Sequence, residues 1–149
     1  MNPYQRYAET NLMSSNPLEL VVALYRGALD SVFAAVRCNE AEDHLGRGRG
    51  VNKALDIITE LTVSLNVNEG GAVAVQLREL YTYMHGRLVE AHMEKSQVKL
   101  VEVATLLSTL LEGWQQIASG NANDSGYGVA TGPAAFTAAP VASASLAYA

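Results

Sequence analysis

Apolar residues recur every three or four positions along four stretches of this chain, and polar or glycine-rich breaks divide them. The longest stretch opens at Pro17. Asn16 suits the N-cap, Pro17 the first helical position, and Glu19 the far side of a capping box. From there to about Cys38, the residues Leu20, Val21, Leu24, Tyr25, Ala28, Val32, Ala35 and Val36 share one side of a helical wheel. Leu18, Val22, Leu29 and Phe33 widen that side beyond what one packing contact needs. This helix is therefore expected to meet two partners, either two helices or a helix and a ligand.

Residues 39–50, NEAEDHLGRGRG, read as a flexible connection, because three glycines in five residues weaken any helix. A phosphate-cradling role is disfavoured: no strand precedes the run and no Lys-Ser/Thr pair ends it. A second helix is expected from about Val51 to Asn66, with Val51, Ala54, Leu55, Ile58, Leu61 and Leu65 on its inner face. Ile57 flanks that face and Val63 points the other way. The turn NEGG, 68–71, is expected to stop it. A third helix, from about Ala72 to Ala91, carries the stripe Leu77, Leu80, Tyr81, Met84, Leu88 and Ala91, with Val75, Tyr83 and Val89 outside it. Ser96 is the expected N-cap of a fourth helix, which runs to about Ala118 with Leu100, Val103, Ala104, Leu107, Leu110, Leu111, Trp114 and Ile117 facing inward.

No segment alternates as a strand would. Four amphipathic helices with short connections predict an all-α protein, an antiparallel four-helix bundle. The polar residues 1–15, with Tyr4, Tyr7, Leu12 and Met13 as exceptions, are expected to form a short N-terminal arm or helix, five helices in all. The bundle would span residues 16–119. Residues 120–149 read as a low-complexity tail. They carry no charge from Ser125 onward, yet Gly126, Gly128, Gly132, Pro133 and Pro140 make a poor membrane span.

Composition narrows the function classes. The chain has 149 residues and a net charge of −5, with a pI near 5.1. Such a charge disfavours non-specific nucleic-acid binding, which needs Lys and Arg to meet phosphates. Cys38 stands alone, so no internal disulfide is expected and a reducing compartment fits. The N-terminus shows no apolar signal-peptide core. His44, His85 and His92 lack the Glu-x-x-His pairing that a bundle metal site would use. The serines sit in helices without a strand-turn-helix elbow. No catalytic residue, metal or cofactor is expected, and recognition is favoured over chemistry.

The motifs, taken together, resemble the flagellin export chaperone (FliS) family. The resemblance covers roughly residues 4–118. It is carried by the arm around Tyr4 and Tyr7, PLELVVALYRGAL, VNKALDIITELTVSLNVNEGG, LRELYTYMHGRL and the closing EGWQQI, in that order. The tail, the GRGRG run and Arg26 after the first LY pair depart from the family pattern. The resemblance implies a cytoplasmic helical chaperone without nucleotide or metal. Its client would be the disordered C-terminal segment of flagellin, held from polymerising until export, one monomeric chaperone per client. It further implies contacts with an anti-sigma factor and an export gate protein, and no membrane insertion. By block match the client contacts would be Leu24, Tyr25, Ile57, Ile58, Leu61, Leu65, Leu80, Tyr81, Tyr83, Met84 and Leu88. Several of these must serve the core instead, Leu61, Leu80 and Met84 first. Tyr4 and Tyr7 would cover the groove until a client arrives. The alternatives are a self-assembling structural bundle with no client and a small enzyme or metalloprotein.

Overall fold

The computed structural model of the protein describes residues 17–120. They form four helices, α1 (Pro17–Glu40), α2 (His44–Ser64), α3 (Val67–Glu94) and α4 (Gln97–Ala118). No strand occurs among the described residues. Connections of two or three residues force consecutive helices antiparallel. α1 packs on α2 and α4, and α3 packs on the same two from the opposite corner. Two helix neighbours thus account for most of the wide apolar face of α1, while Phe33 stays exposed. The contacts of α1 are more extensive than those of α3, which sits more loosely against α2 and α4.

Each later helix starts at a side-chain cap. Asp43 accepts from the Gly46 amide, Asn66 from Glu69 and Ser96 from Lys99, each binding an amide that the first helical turn leaves free. Lys95, in the left-handed region at φ 56°, ends α3 and turns the chain into α4. α1 is helical from Pro17, the first described residue, while its proposed cap Asn16 and the N-terminal arm lie outside the described residues.

Two expectations are corrected. The GRGRG run is not a loop: the connection is only Ala41–Asp43, and α2 begins at His44. Neighbouring helices leave these glycines little room for a side chain: Gly46 and Gly50 face α1, and Gly48 faces His92 of α3. A Cβ on Gly50 would stand 2.8 Å from the Ser31 carbonyl and 2.9 Å from the Ala35 nitrogen. One on Gly46 would meet the Cys38 sulfur at 2.7 Å. The same turns bury Arg47, whose Nε donates to His92 Nδ1 at 3.1 Å and whose Nη1 donates to Asn39 Oδ1 at 3.1 Å and to His44 Nδ1 at 2.8 Å. One guanidinium thereby joins α1, α2 and α3. The second correction concerns NEGG, which forms a helical turn at the head of α3 before a kink, with the expected helix continuing from Ala72. α2 stops at Ser64, and the chain kinks inside α3 at Gly71, whose φ of 57° and ψ of −134° suit glycine.

The core runs the length of the bundle. Tyr25, Val32, Ile58, Leu61, Leu77, Tyr81, Met84, Leu88, Leu100 and Leu107 are all fully enclosed. A buried side chain of this size contributes on the order of 1.5–3 kcal/mol through water exclusion.

Candidate functional site

Most of the residues expected to meet a client lie inside. Leu24, Tyr25, Ile57, Ile58, Leu61, Tyr81, Met84 and Leu88 are buried core residues. Leu65 and Leu80 are half-buried against the core, and Tyr83 is exposed. The tyrosines of the two LY pairs meet each other inside the bundle. The hydroxyls of Tyr25 and Tyr81 are 2.5 Å apart, and the Tyr25 ring lies 6.3 Å from both the Tyr81 ring and the Trp114 indole, centroid to centroid. Each hydroxyl gives the other a polar partner, which is what allows two tyrosines to occupy an apolar interior. Tyr4 and Tyr7 lie outside the described residues.

The outside is nonetheless not uniformly polar. Val63 is 74% exposed, Val98 80% and Met93 77%. Phe33, Leu45, Tyr83, Val89 and Val101 are exposed as well. Between α2 and α3 the loose packing leaves a groove of about 390 Å³, lined by Thr59, Thr62, Val63, Tyr81, Thr82, His85 and Gly86. None of these carries a carboxylate, an ammonium or a guanidinium. Tyr81 belongs to both the core cluster and the wall of this groove. Val63 stood off the inner stripe in the sequence. Gly86, a glycine in the middle of a long helix, was the further signal that could have marked the place.

A second groove, about 460 Å³, runs between α1 and α2 past Asp30, Cys38, Arg49, Gly50 and Lys53. Gly46 and Gly50, where the two backbones come close, are part of its lining.

The α3–α4 side is polar and cross-linked. The Tyr83 hydroxyl donates to Glu102, and Arg87 Nε donates to the other oxygen of that carboxylate at 2.8 Å. The Arg87 guanidinium lies 5.5 Å from the Tyr83 ring centroid. Lys99 bridges Glu90 and Glu94 at 2.8 and 2.9 Å. The hydrogen bond from Tyr83, with help from Arg87, holds the Glu102 carboxyl below its usual value, and the same bond raises the Tyr83 phenol. Lys99 lowers Glu90, and the two glutamates raise Lys99. These groups fix α3 against α4. No cluster of His, Cys, Asp and Glu that could hold a metal ion occurs among the described residues. No helix among them is long and apolar enough to cross a membrane.

The geometry is that of a helical scaffold with apolar surface on more than one side. Comparison with known proteins agrees with the resemblance. The family model described as "Flagellar protein FliS" matches residues 1–121. The Flagellar secretion chaperone FliS of Salmonella typhimurium is 36% identical over 110 residues, 73% of this chain and 82% of that protein. The Flagellar secretion chaperone FliSB of Pseudomonas aeruginosa is 35% identical over 118 residues, 78% of this chain and 94% of its own length. The corresponding Bacillus subtilis protein is 30% identical over 115 residues, 77% of this chain and 85% of the relative. The family match ends at residue 121, and the chain belongs to the flagellar protein FliS family.

Proposed function

We propose that this protein is a cytoplasmic flagellar secretion chaperone that binds the C-terminal segment of flagellin and keeps it from polymerising until export. The family match across residues 1–121 carries this reading, since the relatives are named flagellar secretion chaperones. The surface supports it physically. A disordered amphipathic client loses conformational freedom on binding and must offset that loss by burying apolar area along a long track. Apolar burial contributes roughly 25 cal/mol per Å² before those losses. The α2–α3 groove, bordered by Val63, supplies one part of such a track.

The client contacts are reassigned accordingly. Tyr83, Leu65 and Leu80 remain from the sequence expectation, joined by Val63, Thr59 and Gly86. The eight buried side chains keep the bundle folded. Tyr4 and Tyr7 belong to an arm that yields to the client. Contacts with an anti-sigma factor and an export gate protein complete the proposal, with one monomeric chaperone per client and no enzymatic step.

Calorimetry of the full chain with a peptide covering the C-terminal segment of a flagellin tests this. Binding with a large negative heat-capacity change is expected. Val63→Asp should weaken it roughly tenfold without loss of helical circular dichroism. Absence of binding defeats the reading. Light scattering that shows mass growing with concentration, and no gain on adding flagellin, would favour a self-assembling bundle instead.

A further inference from the structure

Gly86 has no neighbour that requires it. A Cβ built there meets nothing within 4 Å, whereas one on Gly46 or Gly50 collides with α1. A glycine at this point weakens α3 relative to alanine. Its remaining use is to let another backbone approach from outside. It lies in the α2–α3 groove, where the Thr62 and Thr82 hydroxyls are turned back onto the carbonyls of Ile58 and Arg78 at 2.8 and 2.9 Å. Those bonds occupy the hydroxyl protons of both threonines. The site therefore suits an uncharged segment with small side chains and one or two apolar anchors.

The chain itself contains such a segment. Residues 141–149, VASASLAYA, have no charge, glycine or proline, and combine small residues with Leu146 and Tyr148. They follow α4 at a workable distance. Trp114, one turn before the end of α4, lies 6.3 Å from Tyr25, which lies 6.3 Å from Tyr81 on the groove wall. Residues 121–140 separate α4 from the segment, and an extended chain covers up to about 3.3 Å per residue. That reach exceeds the width of a bundle whose axes stand about 8–10 Å apart. Tethering raises the local concentration of the segment, so even a small contact area is occupied.

We propose that residues 141–149 dock in the α2–α3 groove of their own chain, their small side chains over Gly86 and Leu146 and Tyr148 as anchors. The tail then acts as a tethered competitor for that part of the client track. Only this consequence rests on the client reading above; the docking itself does not.

The test uses the full chain carrying Cys38→Ala and Ser145→Cys, with a nitroxide label on the new thiol, and no client. Amide signals of Val63, Thr82 and Gly86 should be broadened at least tenfold more than those of Asp30 and Lys53 in the α1–α2 groove. Gly86→Leu, which adds a side chain where a Cβ meets nothing within 4 Å, should abolish that contrast. Should Gly86→Leu disturb the helical circular dichroism, Val63→Asp takes its place. Equal broadening on both faces, or contrast that survives the groove variants, overturns the proposal. So does broadening of an isotope-labelled, unspun-labelled chain mixed with nitroxide-carrying chains, which would mean a second copy. Flagellin peptide is then added: recovery of the signals supports competition, while docking that persists with peptide bound elsewhere leaves the tail contact standing and removes the client from this groove.

Discussion

The hydroxyls of Tyr25 on α1 and Tyr81 on α3 face one another 2.5 Å apart, joining the two helices that stand at opposite corners of the bundle. Both side chains are wholly enclosed, and Trp114 of α4 closes over Tyr25. Three helices thus converge on one aromatic cluster. Replacing either tyrosine by phenylalanine removes this bond while keeping the ring. Each single variant is expected to lose about 1 kcal/mol of stability, and the double variant less than the sum of the two. Urea denaturation of the four proteins measures that coupling. The Phe variants should bind flagellin peptide as tightly as the parent, because the pair supports the core.

Two glycines should respond in opposite directions. At Gly50 an added methyl group would press on the backbone of α1 at Ser31 and Ala35, so Gly50→Ala is expected to cost roughly 1–3 kcal/mol. At Gly86 the space is open and the backbone is helical, so Gly86→Ala is expected to stabilise by about 0.5–1 kcal/mol. Thermal melts of the two variants beside the parent decide it. Equal effects would mean that neither backbone approach nor open space governs these sites.

Arg47 should prove a structural hub. Its guanidinium donates to Asn39, His44 and His92 and to the His92 carbonyl, with only a small fraction of its surface in water. Arginine can only donate, so the facing Nδ1 atoms of both histidines act as acceptors. Arg47→Ala withdraws these donors together and is expected to cost roughly 2–3 kcal/mol. Arg47→Lys should recover little, since an ammonium cannot reproduce the planar fork. Amide hydrogen exchange would show the loss first in residues 44–50, before the middle of the bundle.

The helices were legible because burial imposes a period of three to four on each of them, and the stripe on α4 is the clearest case: Leu100, Val103, Ala104, Leu107, Leu110, Leu111, Trp114 and Ile117 are all buried. GRGRG was misread because glycine's local preference opposes a helix, while the reason for those glycines lies on another helix, at Ser31 and Ala35. The LY pairs looked like surface because a tyrosine hydroxyl suggests a wet interface. Tyr25 finds a hydroxyl partner 56 positions away, and no local pattern carries that information. Val63 and Tyr83, which stood off their stripes, are exposed in the structure, whereas Ile57, which flanked its stripe, is fully buried between neighbouring helices.

The α3–α4 network sets a pH dependence with a definite sign. Glu102 is held below its usual value by the bond from Tyr83 and by Arg87, and Glu90 by Lys99. A carboxylate lowered in the folded state stabilises fully above its unfolded value, about 4.3, and loses that contribution as pH falls through the folded value. Lys99 runs the other way: raised by Glu90 and Glu94, it stabilises below its unfolded value, about 10.4, and loses that contribution as pH rises through the folded one. The bridge between α3 and α4 is therefore intact at neutral pH and weakens in acid. These groups meet water, so the effect is small beside core packing and shrinks with added salt. Urea midpoints of the parent and of Glu102→Gln should differ at pH 7 and converge below pH 4, because the glutamine cannot lose a charge. A gap that widens in acid would reverse the assigned direction.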